Sequence, residues 1–144
     1  MWRESIKASC FPIYKNLVKE EILKKWANKT EKDVEKLVGN SKTFAAISKQ
    51  GEIVGFASYI THQKEKGIEG EIKCLYVAPK AFRKGVGSFL LENIEQKIVE
   101  EGAEKIFLYS SINAINFYRK ANYKITREKL LLFNEIISWK MLKK

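Results

Sequence analysis

The stretch 75-LYVAPKAFRKGVGSFLL-91 decides how this chain folds. Its apolar start ends at Pro79, which cannot donate a hydrogen bond to a sheet ladder, so a strand ends just before the proline. Gly85 and Gly87 follow a basic turn, and the apolar residues after them recur with helical spacing. The stretch therefore predicts a buried strand, a basic turn and a helix that begins at the two glycines.

The basic turn has the composition of an anion-binding site. A helix start offers unpaired backbone N–H groups and a partial positive charge, and glycines there let a phosphate approach the backbone. Arg83 and Lys84 add positive charge at the same place. The P-loop pattern is absent, and Leu90 stands where the dinucleotide fingerprint needs a third glycine. Two interpretations stay open: a phosphate or pyrophosphate cradle of another kind, and a plain strand–helix turn with an exposed basic pair.

Upstream of this stretch, the first forty residues have the hydrophobic period of helices. Apolar residues recur every four positions from Tyr14 to Trp26, which predicts one amphipathic helix with Pro12 in its first turn. A second, shorter helix is predicted between Thr30, a good N-cap residue, and Gly39, a good stop.

The rest of the chain alternates between strands and helices. A helix that begins at Gly85 has Phe89 on its predicted apolar face, and a shorter helix covers 113–120. Apolar runs predict strands at 43–48, 53–60, 69–77, 105–109, 123–126 and 131–141. This order predicts the α/β (α+β) class, with a mixed, mostly antiparallel central sheet flanked by helices.

Length and composition fit a single domain over residues 1–144, and 45% apolar residues exclude wholesale disorder. There are 27 Lys+Arg against 17 Asp+Glu, a net charge of +10, which makes a polyanionic partner plausible. The lysines are scattered and have no interleaved aromatics, which argues against nucleic acid. No apolar run reaches the roughly 18 residues of a membrane helix, and no signal-type segment is present, so we expect no membrane partner and a cytoplasmic location.

Histidine and cysteine are too scarce for metal chemistry. His62 is the only histidine, and Cys10 and Cys74 are far apart with no Cys-x-x-Cys, so we expect no metal site. We place His62 in a polar loop at 62–67 and assign it a structural role. Cys74 has no histidine partner in sight and is interpreted as a buried apolar residue rather than a nucleophile.

Two spaced elements carry a family resemblance. The first is Val77-Ala78-Pro79, Phe82-Arg83-Lys84-Gly85-Val86-Gly87 and Leu90-Leu91; the second is Ala114-Ile115-Asn116-Phe117-Tyr118-Arg119-Lys120-Ala121-Asn122-Tyr123. With these elements the segment from Glu71 to Tyr123 resembles the GNAT superfamily of N-acetyltransferases. A Gly-Glu-Ile-Val-Gly-Phe hairpin at 51–56 is also typical, and with it the resemblance covers about the last two-thirds of the chain.

The sequence departs from the family pattern at several points. Phe82 stands where the family has Gln or Arg, and Ser111 stands where many members have Asn. Asn122 replaces a glycine, a mild change because asparagine tolerates the left-handed conformation. The family also begins with a strand, whereas this chain begins in helix. We therefore expect the usual first strand to be missing or divergent.

The resemblance implies acetyl-CoA as co-substrate and transfer of its acetyl group, usually to a primary amine. The strand from Leu75 through Tyr76 to Val77 would splay from the 105–109 strand and pair with the pantetheine arm, with a backbone N–H polarising the thioester carbonyl. Ser111 and Tyr118 would also contact the cofactor. The pyrophosphate would be held by the backbone around Arg83, Lys84, Gly85, Val86, Gly87 and Ser88.

Two residues are the candidate catalysts. Tyr118 matches the family tyrosine near the CoA sulfur and would donate to the leaving thiolate; otherwise it is one of a core aromatic pair with Phe117. Glu71 lies where histone-acetylating members place a catalytic glutamate and would be the general base. Glu69 is an equal rival for that role, and bound water is a third option.

The acceptor stays open between a small-molecule amine and a peptide amine. Glu65, Glu69 and Glu71 lie where they could attract an amine, although a solvated acidic strand explains them equally well. A homodimer could form through the apolar segment 130–137. The rival functions are a non-enzymatic CoA-binding sensor and a basic nucleic-acid-binding module.

Overall fold

The computed structural model describes residues 2–14, 19–132 and 136–144. The helices are α1 (Trp2–Ser9), α2 (Phe11–Tyr14), α3 (Glu20–Ala27), α4 (Glu31–Val38), α5 (Val86–Glu100) and α6 (Ile115–Lys120). The strands are β1 (Lys42–Ile47), β2 (Ile53–Lys64), β3 (Gly67–Val77), β4 (Ala103–Ser110), β5 (Lys124–Leu132) and β6 (Ile136–Lys143). Short 3₁₀ turns cover Pro79–Ala81 and Ile112–Ala114.

The six strands form one sheet in the order β1-β2-β3-β4-β6-β5. The β3–β4 pair is parallel, and the other four neighbouring pairs are antiparallel. The parallel pair needs a crossover, which α5 supplies by packing across β2, β3 and β4. This confirms the predicted class, a mixed and mostly antiparallel sheet flanked by helices.

Helices precede the sheet. Within residues 2–14 and 19–41 the structure has α1 to α4 and no strand, which agrees with the expectation of a missing or divergent first strand. The single helix predicted from Tyr14 to Trp26 is interrupted: Lys19 has extended backbone angles (ψ 141°), Tyr14 belongs to α2, and α3 begins only at Glu20. Residues 15–18 lie outside the described residues. The helix after Thr30 is confirmed, because the Thr30 hydroxyl accepts from the Asp33 N–H at 3.2 Å in a capping box.

Three details of the predicted elements were wrong. Strands β2 and β3 continue into a tight hairpin, so His62 lies inside β2, where the ladder satisfies its backbone, and not in a loop. The strand predicted at 131–141 is two strands, since Leu131 of β5 pairs with Ile137 of β6, and their connection at 133–135 lies outside the described residues. Phe89 is 59% exposed, and Leu91 is buried against the sheet in its place.

The α5–β3 contact gives a stability prediction. A Cβ at Gly70 would lie 2.2 Å from Cγ2 of Ile98, which is fully buried, so Gly70→Ala forces the helix away from the sheet. Overpacking of this kind lowers the free energy of unfolding by about 1–3 kcal/mol, or several degrees of Tm. Thermal melts of Gly70→Ala, Ile98→Ala and the double variant measure it. The loss of unfolding free energy in the double variant should be smaller than the sum of the losses in the two single variants. Additive losses would contradict the steric clash between Gly70→Ala and Ile98.

Candidate active site

A β-bulge in β3 opens the centre of the sheet. Tyr59 pairs with Ile72 and Ser58 pairs with Cys74, so Lys73 has no partner in β2. A bulge bends its strand, and the ladder between β3 and β4 ends at this level, with Ile72 opposite Leu108. Beyond that pair β3 continues to Val77 and β4 to Ser110, and the two strands separate.

Backbone groups of β3 face this gap. The Ala78 N–H donates to the Val54 carbonyl at 2.8 Å, which makes Val54 and Ala78 a hydrogen-bonded pair. Such pairs alternate along an antiparallel ladder. The N–H and C=O groups of Leu75 and Val77 therefore turn away from β2 and towards the gap. The separated end of β3 is a strand edge that can accept another extended chain.

A cavity of about 250 Å³ occupies the gap. The helices before the sheet close one side of it, since Ile6, Cys10 and Trp26 line its wall. Glu69 and Val77, which were also candidates, do not line it. Five of the candidate residues do: Glu71, Leu75, Tyr76, Ser111 and Tyr118.

Glu71 is held at the cavity by two hydrogen bonds. Its Oε2 shares a hydrogen bond of 2.7 Å with Nε2 of His62, and its Oε1 accepts from Nζ of Lys73 at 3.2 Å. The Glu71 side chain is 15% exposed, and that of His62 is 35% exposed. The imidazole also stacks on Phe107, with ring centroids 6.2 Å apart. The carboxylate is thus oriented, partly desolvated and accessible from the cavity.

Tyr118 presents an unpaired hydroxyl to the cavity. Its ring packs edge-on against Phe117 and Tyr123, with centroid distances of 5.0 and 5.8 Å. Among the described residues the structure shows no hydrogen bond to its hydroxyl. Burial, with a smaller contribution from the Cys74 thiol, raises the pKa of Tyr118 above its usual value of about 10. The hydroxyl therefore stays protonated at neutral pH and can act as a hydrogen-bond donor.

The glycine turn forms a second feature, outside the cavity and beyond the end of β3. Arg83 and Gly85 have positive φ angles of 59° and 79°, which fold the turn back before α5 begins. Within the described residues, none of the six consecutive backbone N–H groups of 83–88 donates to a backbone carbonyl. The Arg83 and Lys84 side chains are exposed, and the structure shows no ion pair for either among the described residues. In the described part of the chain, the turn is thus a row of N–H groups without a backbone acceptor beside two cations without an ion pair.

Gly87 lets this turn pack closely against α6 and the end of β3. A Cβ there would lie 3.3 Å from the Phe117 ring and 3.7 Å from Cγ2 of Val77. The absence of a side chain thus lets α5, α6 and the end of β3 meet. The donor turn and the Tyr118 hydroxyl consequently belong to one continuous region of the protein.

Several lining residues were not found in the sequence. Asn113 accepts a hydrogen bond from the Ser111 hydroxyl at 2.7 Å and one from the Cys10 thiol at 3.6 Å. Its place just before the second family element was a usable signal. Ser5 and Trp26 lie in helices, and Cys10 and Lys29 lie in the connections beside them; none of these segments carries a recognisable motif.

Cys74 has the character of a structural residue. Its thiol is buried, lies 2.9 Å from the Ser58 hydroxyl and has its pKa raised by burial. A raised pKa leaves little thiolate for nucleophilic attack.

Residues 2–14, 19–132 and 136–144 contain no group of three or more His, Cys, Asp or Glu side chains placed to hold a metal ion. In the same residues we find no helix with the length and apolar character needed to cross a membrane.

Comparison with known proteins identifies the family of this chain. Residues 5–123 match the family model described as the acetyltransferase (GNAT) family. Among curated proteins, YdhI of Bacillus subtilis (strain 168), which is uncharacterised, is 31% identical over 84 residues, or 56% of this chain. The aligned region spans about half (49%) of the length of that relative.

Solved structures show the same fold. A GCN5-related N-acetyltransferase from Rhodopseudomonas palustris superposes with a TM-score of 0.76 at 25% identity, over 99% of this chain and 84% of the other. The PaiA N-acetyltransferase from Thermoplasma acidophilum, in complex with coenzyme A, superposes with a TM-score of 0.75 at 21% identity, over 99% and 87% of the two chains.

Proposed function

The chain belongs to the GNAT family of acetyltransferases, and from this premise we propose that it transfers the acetyl group of acetyl-CoA to a primary amine by direct attack in a ternary complex. The observation that carries the proposal is the separation of β3 from β4 beyond Ile72, which opens a cavity onto both Glu71 and Tyr118. The solved N-acetyltransferases with this fold, one of them bound to coenzyme A, support it.

Two features of the structure match the pyrophosphate and the pantetheine arm of acetyl-CoA. The free N–H groups of 83–88, with Arg83 and Lys84 beside them, match a pyrophosphate in charge and in hydrogen-bond donors. The outward N–H and C=O groups of Leu75 and Val77 match the amides of a pantetheine arm laid along the strand edge. The cofactor then occupies the place of the strand partner that β3 loses.

The reaction requires three things of this site. Glu71 takes one proton from the incoming ammonium ion, the neutral nitrogen attacks the thioester carbon to form the carbon–nitrogen bond, and the nitrogen loses its second proton to solvent as the tetrahedral intermediate collapses. A free N–H of the β3 edge stabilises the negative charge that develops on the carbonyl oxygen. The carbon–sulfur bond then breaks, and the Tyr118 hydroxyl protonates the leaving thiolate and regains its proton from solvent. Amide and free thiol are the products.

Thermal melting tests the cofactor part without knowledge of the acceptor. At about 100 times its Kd, acetyl-CoA should add roughly 2.7 kcal/mol of stability and raise Tm by several degrees. The double variant Arg83→Ala/Lys84→Ala should show a smaller shift. Lys49→Ala/Lys66→Ala, which removes the same charge from exposed positions elsewhere, should keep the full shift. No shift at millimolar acetyl-CoA would refute the proposal.

Thiol release tests the transfer. Acetyl-CoA is incubated with a panel of primary amines: a polyamine, free amino acids, an aminoglycoside, and peptides with a free N-terminus or lysine. Free thiol should appear with at least one amine, together with its acetylated product by mass spectrometry. A thermal shift without thiol release for every amine would instead favour the CoA-binding sensor.

A further inference from the structure

His62, one of the two hydrogen-bond partners of Glu71, carries an imidazole. His62 of β2 reaches Glu71 of β3 across the hairpin, and the 2.7 Å bond joins the carboxylate to an imidazole. The ring is fixed from a second side by its stacking on Phe107 of β4. Two contacts from two different strands therefore hold one imidazole against the candidate base.

Solvent exposure increases from Glu71 to His62. Glu71 lines the cavity, whereas His62 does not. The Glu71 side chain is 15% exposed and the His62 side chain is 35% exposed. The pair thus connects the cavity to bulk water through two titratable groups in hydrogen-bond contact.

We propose that His62 is a proton-relay residue, which takes from Glu71 the proton removed from the acceptor amine and releases it to solvent. This rests on the proposed function. The amine that enters as an ammonium ion must lose one proton before its nitrogen can attack. That proton moves to the Glu71 carboxylate and from its O–H to Nε2 of the neutral imidazole, in the tautomer that carries its hydrogen on Nδ1. The imidazolium then loses the Nδ1 proton to water, and exchange with solvent returns the hydrogen to Nδ1. Glu71 is then again a carboxylate, ready for the next turnover.

The other charged groups nearby cannot do this. Lys73 bonds to the second oxygen of Glu71, but an ammonium group has three donors and no lone pair to accept a proton. Glu69 lies opposite His62 in the ladder and outside the cavity. Lys140 of β6 lies 4.8 Å over the Phe107 ring, on which His62 also stacks, and its ammonium group likewise has no lone pair to accept a proton. Imidazole is the side chain that both accepts and releases protons between pH 5 and 8.

The variant His62→Gln separates a relay from a structural role. Glutamine keeps an N–H donor for Glu71 but cannot take up a proton. We expect kcat to fall about tenfold near pH 8, less than a direct proton-transfer group contributes, with the KM for acetyl-CoA within about twofold of wild type. The ratio of wild-type to variant kcat should vary with pH, because imidazole takes up a proton and glutamine does not. Ionisation of the acceptor affects both proteins equally. A pH-independent ratio would overturn the relay.

Chemical rescue provides the second activity test. In His62→Ala, added imidazole should restore kcat in a saturable manner. Gln63→Ala, a change at the exposed neighbouring position of β2, should keep wild-type activity and show no response to imidazole. Failure of imidazole to restore any activity, in a variant that melts normally, would also overturn the relay.

A readout without turnover keeps this proposal distinct from the proposed function. The chain has one histidine, so its imidazole ¹⁵N resonances need no assignment. Wild-type protein should show one dominant tautomer, held by Glu71, and Glu71→Gln should change the tautomer distribution. Unchanged ¹⁵N shifts would refute the His62–Glu71 contact even if acetyl transfer is observed. A normal ¹⁵N result without acetyl-CoA binding would instead refute the proposed function, and the relay with it.

Discussion

Glu71→Gln lowers kcat by roughly 10²–10⁴-fold, the range that a positioned general base contributes. The change keeps the size of the side chain and removes the charge that accepts the amine proton. It also removes the ion pair with Lys73, whose side chain is 30% exposed, so that its ammonium group can be solvated by water instead. Tm and the thermal shift with acetyl-CoA should therefore stay close to wild type, while thiol release with the active amine falls. The assay compares initial rates at saturating substrates.

Glu69→Gln is the matched control for this prediction. It removes the same charge from the same strand two residues away, at a position that does not line the cavity. Its kcat should stay within about twofold of wild type. The loss of kcat in Glu71→Gln should also become smaller at high pH, because the acceptor amine is already deprotonated there. If Glu69→Gln shows the larger loss, the two glutamates exchange roles; if neither loses activity, bound water is the base.

The β-bulge at Lys73 explains why these two glutamates differ. Both glutamates are paired with β2 and with β4, but Glu69 lies two residues further from the end of the β3–β4 ladder. Glu71 is one residue before the last β3–β4 pair, so its side chain reaches the edge of the gap. The same bulge that ends the pairing thus places a carboxylate at the opening.

The sequence was most informative where short motifs encode local geometry. Pro79, Gly85 and Gly87 were enough to predict a strand, a turn and a helix, because each restricts the backbone at its own position. Tyr118 could be found for a similar reason, since its helix carries a recognisable element. Of the candidates that come from these motifs, Leu75, Tyr76 and Tyr118 line the cavity, whereas Val77 and residues 83–88 lie outside it.

The interaction between His62 and Glu71 could not be predicted in the same way. It depends on the register of a hairpin, and the polar residues around its turn had been assigned to a loop. The wall of the cavity was missed for a different reason. Ile6 and Trp26 lie on short helices of ordinary apolar spacing and Cys10 follows the first of them, so only tertiary packing shows what these residues cover.

Tyr118→Phe is expected to reduce kcat by roughly 10²-fold or more, because it removes the donor for the leaving thiolate. Since no described residue hydrogen-bonds to this hydroxyl, its loss leaves no partner unsatisfied, and phenylalanine keeps both ring contacts. Tm should therefore be unchanged or slightly higher. The raised pKa of Tyr118 adds a pH signature: wild-type activity should not fall near pH 10, where an ordinary tyrosine ionises.

Tyr123→Phe tests whether the effect is specific to the thiolate donor. The Tyr123 ring packs against Tyr118, but its hydroxyl donates to Oε1 of Glu95 at 2.8 Å on the side of α5. Its removal should lower stability by about 1 kcal/mol and leave kcat unchanged. The two variants thus delete the same atom from neighbouring rings with opposite consequences: one loses activity and keeps its Tm, the other loses Tm and keeps its activity. Equal turnover in Tyr118→Phe and wild type would exclude Tyr118 from the chemistry and leave it a core aromatic residue.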